Sequence, residues 1–200
     1  MSISLTKKQT ISLEKNGAGS LRKISMGLGW DPVENKPSGF FGKLLGGGEP
    51  AEIDLDASCV VLDNHKEPVD LIWFRHLESN CGNIIHSGDN RTGQGDGDDE
   101  TIEVNLMGLP VTVEHLVFTV NSFTGQNFNQ VENAYCRIVD DETGRELARF
   151  NLSEKGNHTG VIMAYLSRTS VGWTCTAVGS ISNGRTVQDI GSQAVAVVAA

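Results

Sequence analysis

Between residues 53 and 62 the sequence IDLDASCVVL sets Ile53, Leu55, Ala57, Cys59 and Val61 at alternate positions, with Asp54, Asp56 and Ser58 between them. An extended strand turns successive side chains to opposite faces, so this segment reads as a half-buried strand with its acidic end on a rim. Asp63-Asn64 marks a turn, and Val69 to Leu77 (VDLIWFRHL) returns as the partner of a hairpin. Further short strands are predicted at Ile84–Ser87, Ile102–Met107, His115–Val120, Ala134–Val139, Glu146–Leu152, Gly160–Leu166 and Gly172–Val178. Asp140-Asp141-Glu142-Thr143-Gly144 connects two of them as a hairpin turn with glycine at its end. Helical signals are weaker, with one turn at Asn127 to Asn133 and a terminal helix at Val187 to Val198. The spacing of strands and turns predicts an all-β fold, a two-sheet antiparallel β-sandwich with short helical segments. At 200 residues the chain reads as a single domain over 1–200, long enough to bury a core without disulfide or metal staples.

The formal net charge of −9 argues against a nucleic-acid partner, whose backbone demands a basic surface. The N-terminal MSISLTKKQTISL has no continuous apolar core of a signal peptide, and no apolar run approaches the ~20 residues that span a bilayer. The expectation is therefore a cytoplasmic protein that is not itself membrane-spanning. Cys59, Cys136 and Cys175 fall in strand-like segments, where cysteine acts as a small hydrophobe. Together with Cys81 they form no C-x-x-C pair, and the five histidines show no spacing that would complete a zinc site.

One stretch interrupts the strand pattern. Residues 36–50 (KPSGFFGKLLGGGEP) are rich in glycine and carry Phe40, Phe41, Leu44 and Leu45. They read as a surface insertion. The other reading is an apolar contact site for a membrane or partner.

Residues 89–100 (DNRTGQGDGDDE) hold five carboxylates, Asp89, Asp96, Asp98, Asp99 and Glu100, against the single base Arg91. Ca²⁺ takes 6–8 hard oxygen ligands, so one short segment serves it only by bending around the ion. Gly93, Gly95 and Gly97 provide that freedom, and the Asn90 side-chain carbonyl adds an oxygen. Crowded carboxylates repel one another, and a bound dication reverses that sign. The alternative is a solvated acidic loop screened by salt. An EF-hand is excluded: with Asp89 at the first loop position, Arg91 and Gly93 occupy the third and fifth, and Gln94 stands where glycine is required. Asp54 and Asp56, two apart on a strand, share a face and are either ligands from a second segment or solvated strand-edge charges. Asp31, after Gly29-Trp30, is a lone further candidate.

Taken together, the motifs GLGWD (27–31), IDLDAS (53–58), WFR (73–75), HSGDN (86–90) running on to Glu100, FTVNSF (118–123), Asn133-Ala134 and FNLSEKGNHTG (150–160) resemble the TerD family of tellurium-resistance and stress-response proteins. The likeness covers nearly the whole chain, and the insertion after GWDP places it nearest the TerZ- and TerX-like branch. The resemblance implies a sandwich binding Ca²⁺, more than one ion, at one end. It implies as ligands Asp31, Asp54, Asp56, Asp89, Asn90, Asp96, Asp98, Asp99 and Glu100. It also implies a non-enzymatic bacterial cytoplasmic protein, peripheral to the inner membrane, with other Ter-system proteins and the membrane-embedded TerC as partners. Two other functions are compatible with the residues: a metal-dependent phosphohydrolase, since carboxylate clusters also hold Mg²⁺, and a Ca²⁺-dependent membrane-surface adaptor. Against the hydrolase stands the lack of a readable general base or nucleophile motif.

Overall fold

The computed structural model describes residues 2–13, 21–32, 54–90, 97–152 and 156–199. The insertion at residues 36–50 and the candidate ligand Asp96 lie outside the described residues. Twelve strands are described: β1 (Ile3–Ser4), β2 (Thr10–Ser12), β3 (Lys23–Pro32), β4 (Leu55–Asp63), β5 (Pro68–Ile72), β6 (Ile84–His86), β7 (Glu100–Asn105), β8 (Val113–Ser122), β9 (Val131–Asp140), β10 (Arg145–Asn151), β11 (Gly160–Thr169) and β12 (Gly172–Ser182). Among the described residues a single 3₁₀ turn spans Phe128–Gln130, and one helix, α1, spans Val187–Ala199. The strands form two six-stranded sheets, ordered β1-β10-β9-β3-β7-β6 (sheet A) and β2-β12-β11-β8-β4-β5 (sheet B). This is the expected sandwich. Its pairings are antiparallel except for the two-residue β1, which joins β10 in parallel.

Period-2 patterning explains the core. Ile24, Met26, Leu28 and Trp30 of β3 meet Leu55, Ala57, Cys59 and Val61 of β4 and Leu116, Phe118 and Val120 of β8 between the sheets. The alternation seen at residues 53–58 gives way to the unbroken apolar run Cys59-Val60-Val61-Leu62, because α1 covers the outer face of sheet B there. Val187, Ile190 and Ala194 of α1 pack on Val60, Leu62, Val117 and Ile162. The result is three layers, sheet A, sheet B and one helix. Among the described residues no helix is long and apolar enough to cross a membrane.

Besides β1 and β2, which were not among the predicted strands, two segments depart from the sequence-based expectation. The return strand predicted to Leu77 stops at Ile72, since Trp73 and His76 exchange backbone hydrogen bonds of 3.1 and 2.8 Å and turn the chain. Arg75, within that turn, lies 5.2–5.6 Å over the rings of Trp73, Phe74 and Phe123. Strand β3, which pairs centrally in sheet A, was not expected because Gly27 and Gly29 lower its strand propensity. A side chain at either position would collide with the Asp98 carboxylate or the Tyr135 ring, which rest on the bare backbone. The hairpin at Asp140–Gly144 forms as expected, with Gly144 at φ 65° and its N–H bonded to Asp140 carbonyl at 2.8 Å. Cys59, Cys136 and Cys175 are buried and Cys81 is exposed, and burial pushes the Cys136 thiol up to about 12.

Candidate functional site

The acidic end is built on an incomplete strand edge. β5 pairs with β4 only from Cys59 onward, so the backbone of Ala57 on that side has no strand partner among the described residues. Two side chains from the sheet A side take its place. Glu100 Oε2 accepts the Ala57 N–H at 2.7 Å, and His86 Nε2 lies 3.0 Å from the Ala57 carbonyl. His86 Nδ1 accepts the Gly88 N–H at 3.0 Å, so the ring proton sits on Nε2 and is donated to Ala57. The other Glu100 oxygen accepts the Asn90 N–H at 3.0 Å. Glu100 is only 1 % exposed, and its fixed carboxylate ties β7, β4 and the start of the acidic loop together.

Asp99 does the same for sheet A. Its N–H bonds the Leu28 carbonyl at 2.8 Å, its Oδ2 accepts the Trp30 N–H at 2.9 Å, and its Oδ1 accepts from Asn90 Nδ2 at 3.1 Å. Burial pushes the Asp99 carboxyl above its ordinary range, helped by Asp31, Asp98 and Glu100 and opposed by the Trp30 N–H.

Against this frame Asp54, Asp56 and Asp89 converge. Each offers an oxygen within 4.8 Å of the other two, with Asp54 and Asp56 buried and Asp89 exposed. Two unit charges at such a separation repel by on the order of 3 kcal/mol at an effective dielectric of about 20. Asp56 shows the consequence: burial, then Glu100, Asp54 and Asp89, push its carboxyl up to about 8, while an N–H from Phe123 pulls the other way. Its Oδ2 is buried with no hydrogen-bond partner among the described residues. A buried acceptor lacking a donor calls for a proton, a water or a cation.

The remaining sequence candidates point elsewhere. Asp98 lies over Gly27 on the outer face of sheet A, where Arg137 Nε bonds both its oxygens at 2.8 and 3.0 Å and the Tyr135 hydroxyl donates at 3.1 Å. Arg137 and Arg149 also hold Glu146, whose carboxyl falls to about 2 chiefly through Arg149. Asp31 is exposed, accepts from Asn133 Nδ2 at 2.8 Å, and lines a cleft of about 560 Å³ with Tyr135, Arg149 and Asn151. The nine candidates thus divide. Asp54, Asp56 and Asp89 form a convergent cluster, Glu100, Asp99 and Asn90 form the scaffold beneath it, Asp31 and Asp98 belong to the sheet A surface, and Asp96 is not described. Sequence reasoning did not single out His86 for this scaffold, although its place directly before Ser87-Gly88-Asp89 is the signal that it starts the same loop.

A two-sheet sandwich with carboxylates from separate segments gathered at one rim defines the class of protein. The chain belongs to the TerD family: residues 1–191 match the family's TerD domain. It is 54 % identical to the tellurium resistance protein TerZ of Serratia marcescens over 98 % of each chain. It is 43 % identical to the stress response protein SCP2 of Bacillus subtilis, over 98 % of this chain and all of that one. The TerD protein of Serratia marcescens is 35 % identical over 90 % of each chain. Among solved structures, a homologue of telluride resistance protein from Streptomyces coelicolor A3(2) superposes with a TM-score of 0.67 over 84 % of this chain and 95 % of that one. Its 20 % identity speaks for the fold alone.

Proposed function

We propose that the rim cluster Asp54/Asp56/Asp89 is a Ca²⁺ site and that the protein is a non-enzymatic calcium-binding component of a bacterial tellurium-resistance and chemical-stress response. The observation that carries the reading is the unpartnered, buried Oδ2 of Asp56 set among two further carboxylates. The donors are all hard oxygens, which suits Ca²⁺ and disfavours softer metals. Asn90 and Glu100 fix the loop that carries Asp89, so a cation would meet partly organised ligands. A second ion would use Asp31, Asp98 and Asp99 only if Arg137 released Asp98.

The non-enzymatic reading rests on His86. This imidazole, next to the cluster, is buried and has both nitrogens engaged, one with Gly88 and one with Ala57 and Glu100. It is not offered to a substrate as a general base. The resistance and stress roles follow from the names of the relatives, and the cytoplasmic setting and the Ter-system partners, TerC included, belong to the same proposal. Occupancy would cancel the rim's charge and present a cation-dependent surface to such a partner. Calorimetric titration of metal-free protein tests the core of this reading, with binding expected and no heat at millimolar Ca²⁺ refuting it. A phosphatase and nuclease screen with Mg²⁺ or Mn²⁺ tests the rival hydrolase, for which turnover lost on Asp56→Asn would be the signature.

A further inference from the structure

Asn121 stands beside the rim cluster and was outside every candidate set. It lies on β8, between β4 and β11, and in register it faces Asp56 on one side and Gly160 on the other. Val120 points into the core between the sheets, so Asn121 and Asp56 share the outer face of sheet B. Asn121 is 1 % exposed.

The orientation of its amide follows from its neighbours. Nδ2 donates to the Gly184 carbonyl at 3.0 Å, and it lies 2.6 Å from where a Cβ on Gly160 would stand. The nitrogen therefore leans across β11, over a residue with no side chain. A flipped amide would set two carbonyl oxygens against each other at Gly184, so the assignment is fixed. Because the amide is planar with its two heteroatoms on opposite sides of Cγ, Oδ1 is directed toward β4 and Asp56. That oxygen has no hydrogen-bond partner among the described residues, and neither has Asp56 Oδ2. Two buried acceptors on residues paired across the strands thus lack a donor among the described residues, each at a cost of about 1–3 kcal/mol. A shared proton or a bound cation serves both.

We propose that Asn121 Oδ1 is a neutral oxygen ligand of the cation held by Asp54, Asp56 and Asp89, and that its Nδ2 links occupancy of the site to the entry of helix α1. The inference rests on the reading of those three carboxylates as a cation site. Gly184, which accepts from both Asn121 Nδ2 and Thr159 Oγ1 at 3.0 Å, leads directly into the start of α1. There Asp189 takes the N–H groups of Arg185 and Thr186 at 3.0 and 2.9 Å. Pulling Oδ1 onto a cation orders the amide, and the ordered amide holds Gly184 and the first turn of the helix against sheet B.

The test is Ca²⁺ titration by calorimetry of wild type, Asn121→Leu and Asn121→Asp, with hydrogen exchange of residues 187–199 followed with and without the ion. Asn121→Leu, which keeps the volume and loses the oxygen, is expected to weaken binding by roughly tenfold or more. Asn121→Asp keeps an oxygen there and adds charge, so it is expected to bind more tightly. It loses the donor to Gly184, so the Ca²⁺-dependent slowing of exchange in α1 seen in wild type should disappear. Affinity of the leucine variant within about twofold of wild type overturns the role of Asn121 while leaving the cation site standing. If the leucine variant does not fold, unchanged or weaker binding by Asn121→Asp overturns it instead. Wild type that binds no Ca²⁺ sinks the site and this inference together.

Discussion

Replacing Asp56 by Asn should make the metal-free protein more stable and the calcium-loaded protein less so, with the two orders crossing as Ca²⁺ is added. In the folded chain Asp56 holds its proton up to about 8, whereas an ordinary aspartate loses it near 3.8. Folding then raises the affinity for that proton, so this contribution to stability is fully present below about 3.8 and is lost as pH rises through about 8. At about 1.4 kcal/mol per tenfold in proton affinity, the difference bounds the loss at on the order of 5 kcal/mol, and relaxation of the rim brings it to roughly 2–4 kcal/mol. Asparagine carries no such charge. In chelator, Asp56→Asn should therefore exceed wild type by roughly that amount at pH 8.5 and converge with it toward pH 4. Urea denaturation across that pH range measures the difference. Adding Ca²⁺ at a thousand times its dissociation constant stabilises wild type by about 4.1 kcal/mol and should leave the variant unmoved. An Asp56→Asn protein that is less stable than wild type in chelator at pH 8.5, or that gains equally from Ca²⁺, refutes the reasoning.

Because Asp56 is largely protonated at neutral pH, Ca²⁺ binding at pH 7 should expel about one proton per ion, falling toward none at pH 9; calorimetry in buffers of different ionisation enthalpy reads this directly. Glu100→Gln keeps the shape but offers one acceptor oxygen to the Ala57 and Asn90 N–H groups, and should cost about 1–3 kcal/mol in thermal or urea melts. Gly29→Ala drives a Cβ into the Tyr135 ring and should cost about 1–3 kcal/mol, largely relieved when combined with Tyr135→Ala. Native protein should expose Cys81 alone to a thiol reagent among its four cysteines, the other three reacting only after unfolding.

Much of the sandwich was legible because half-buried strands write their burial into alternation, as residues 134–139 do. The alternation at 54–58 instead marks a strand whose polar face, with Asp54, Asp56 and Ser58, is buried too. β3 was not, since its two glycines serve side chains that arrive from elsewhere: Asp98 lies 71 residues beyond Gly27, and Tyr135 belongs to a neighbouring strand. The acidic loop could be recognised from composition as a site for positive charge. Its division of labour could not, because Asp98, Asp99 and Glu100 are consecutive and chemically alike. One meets Arg137, one meets the backbone of β3 and one meets the backbone of β4. Their partners lie far off in sequence, so only the folded chain sorts them. Asn121 was hidden for the same reason, being one polar residue in a strand until Gly160 and Asp56 flank it.

The bond from Glu100 and His86 to Ala57 has a meaning beyond the rim. The upper part of β4 is a length of sheet edge with β5 missing, and such an edge is a template on which another extended chain can add itself. Here its donor and acceptor are taken by a carboxylate and an imidazole, which end the ladder without continuing it. The residues that shape the acidic loop therefore also cap this length of edge, so Glu100→Gln is expected to lower solubility as well as the melting midpoint.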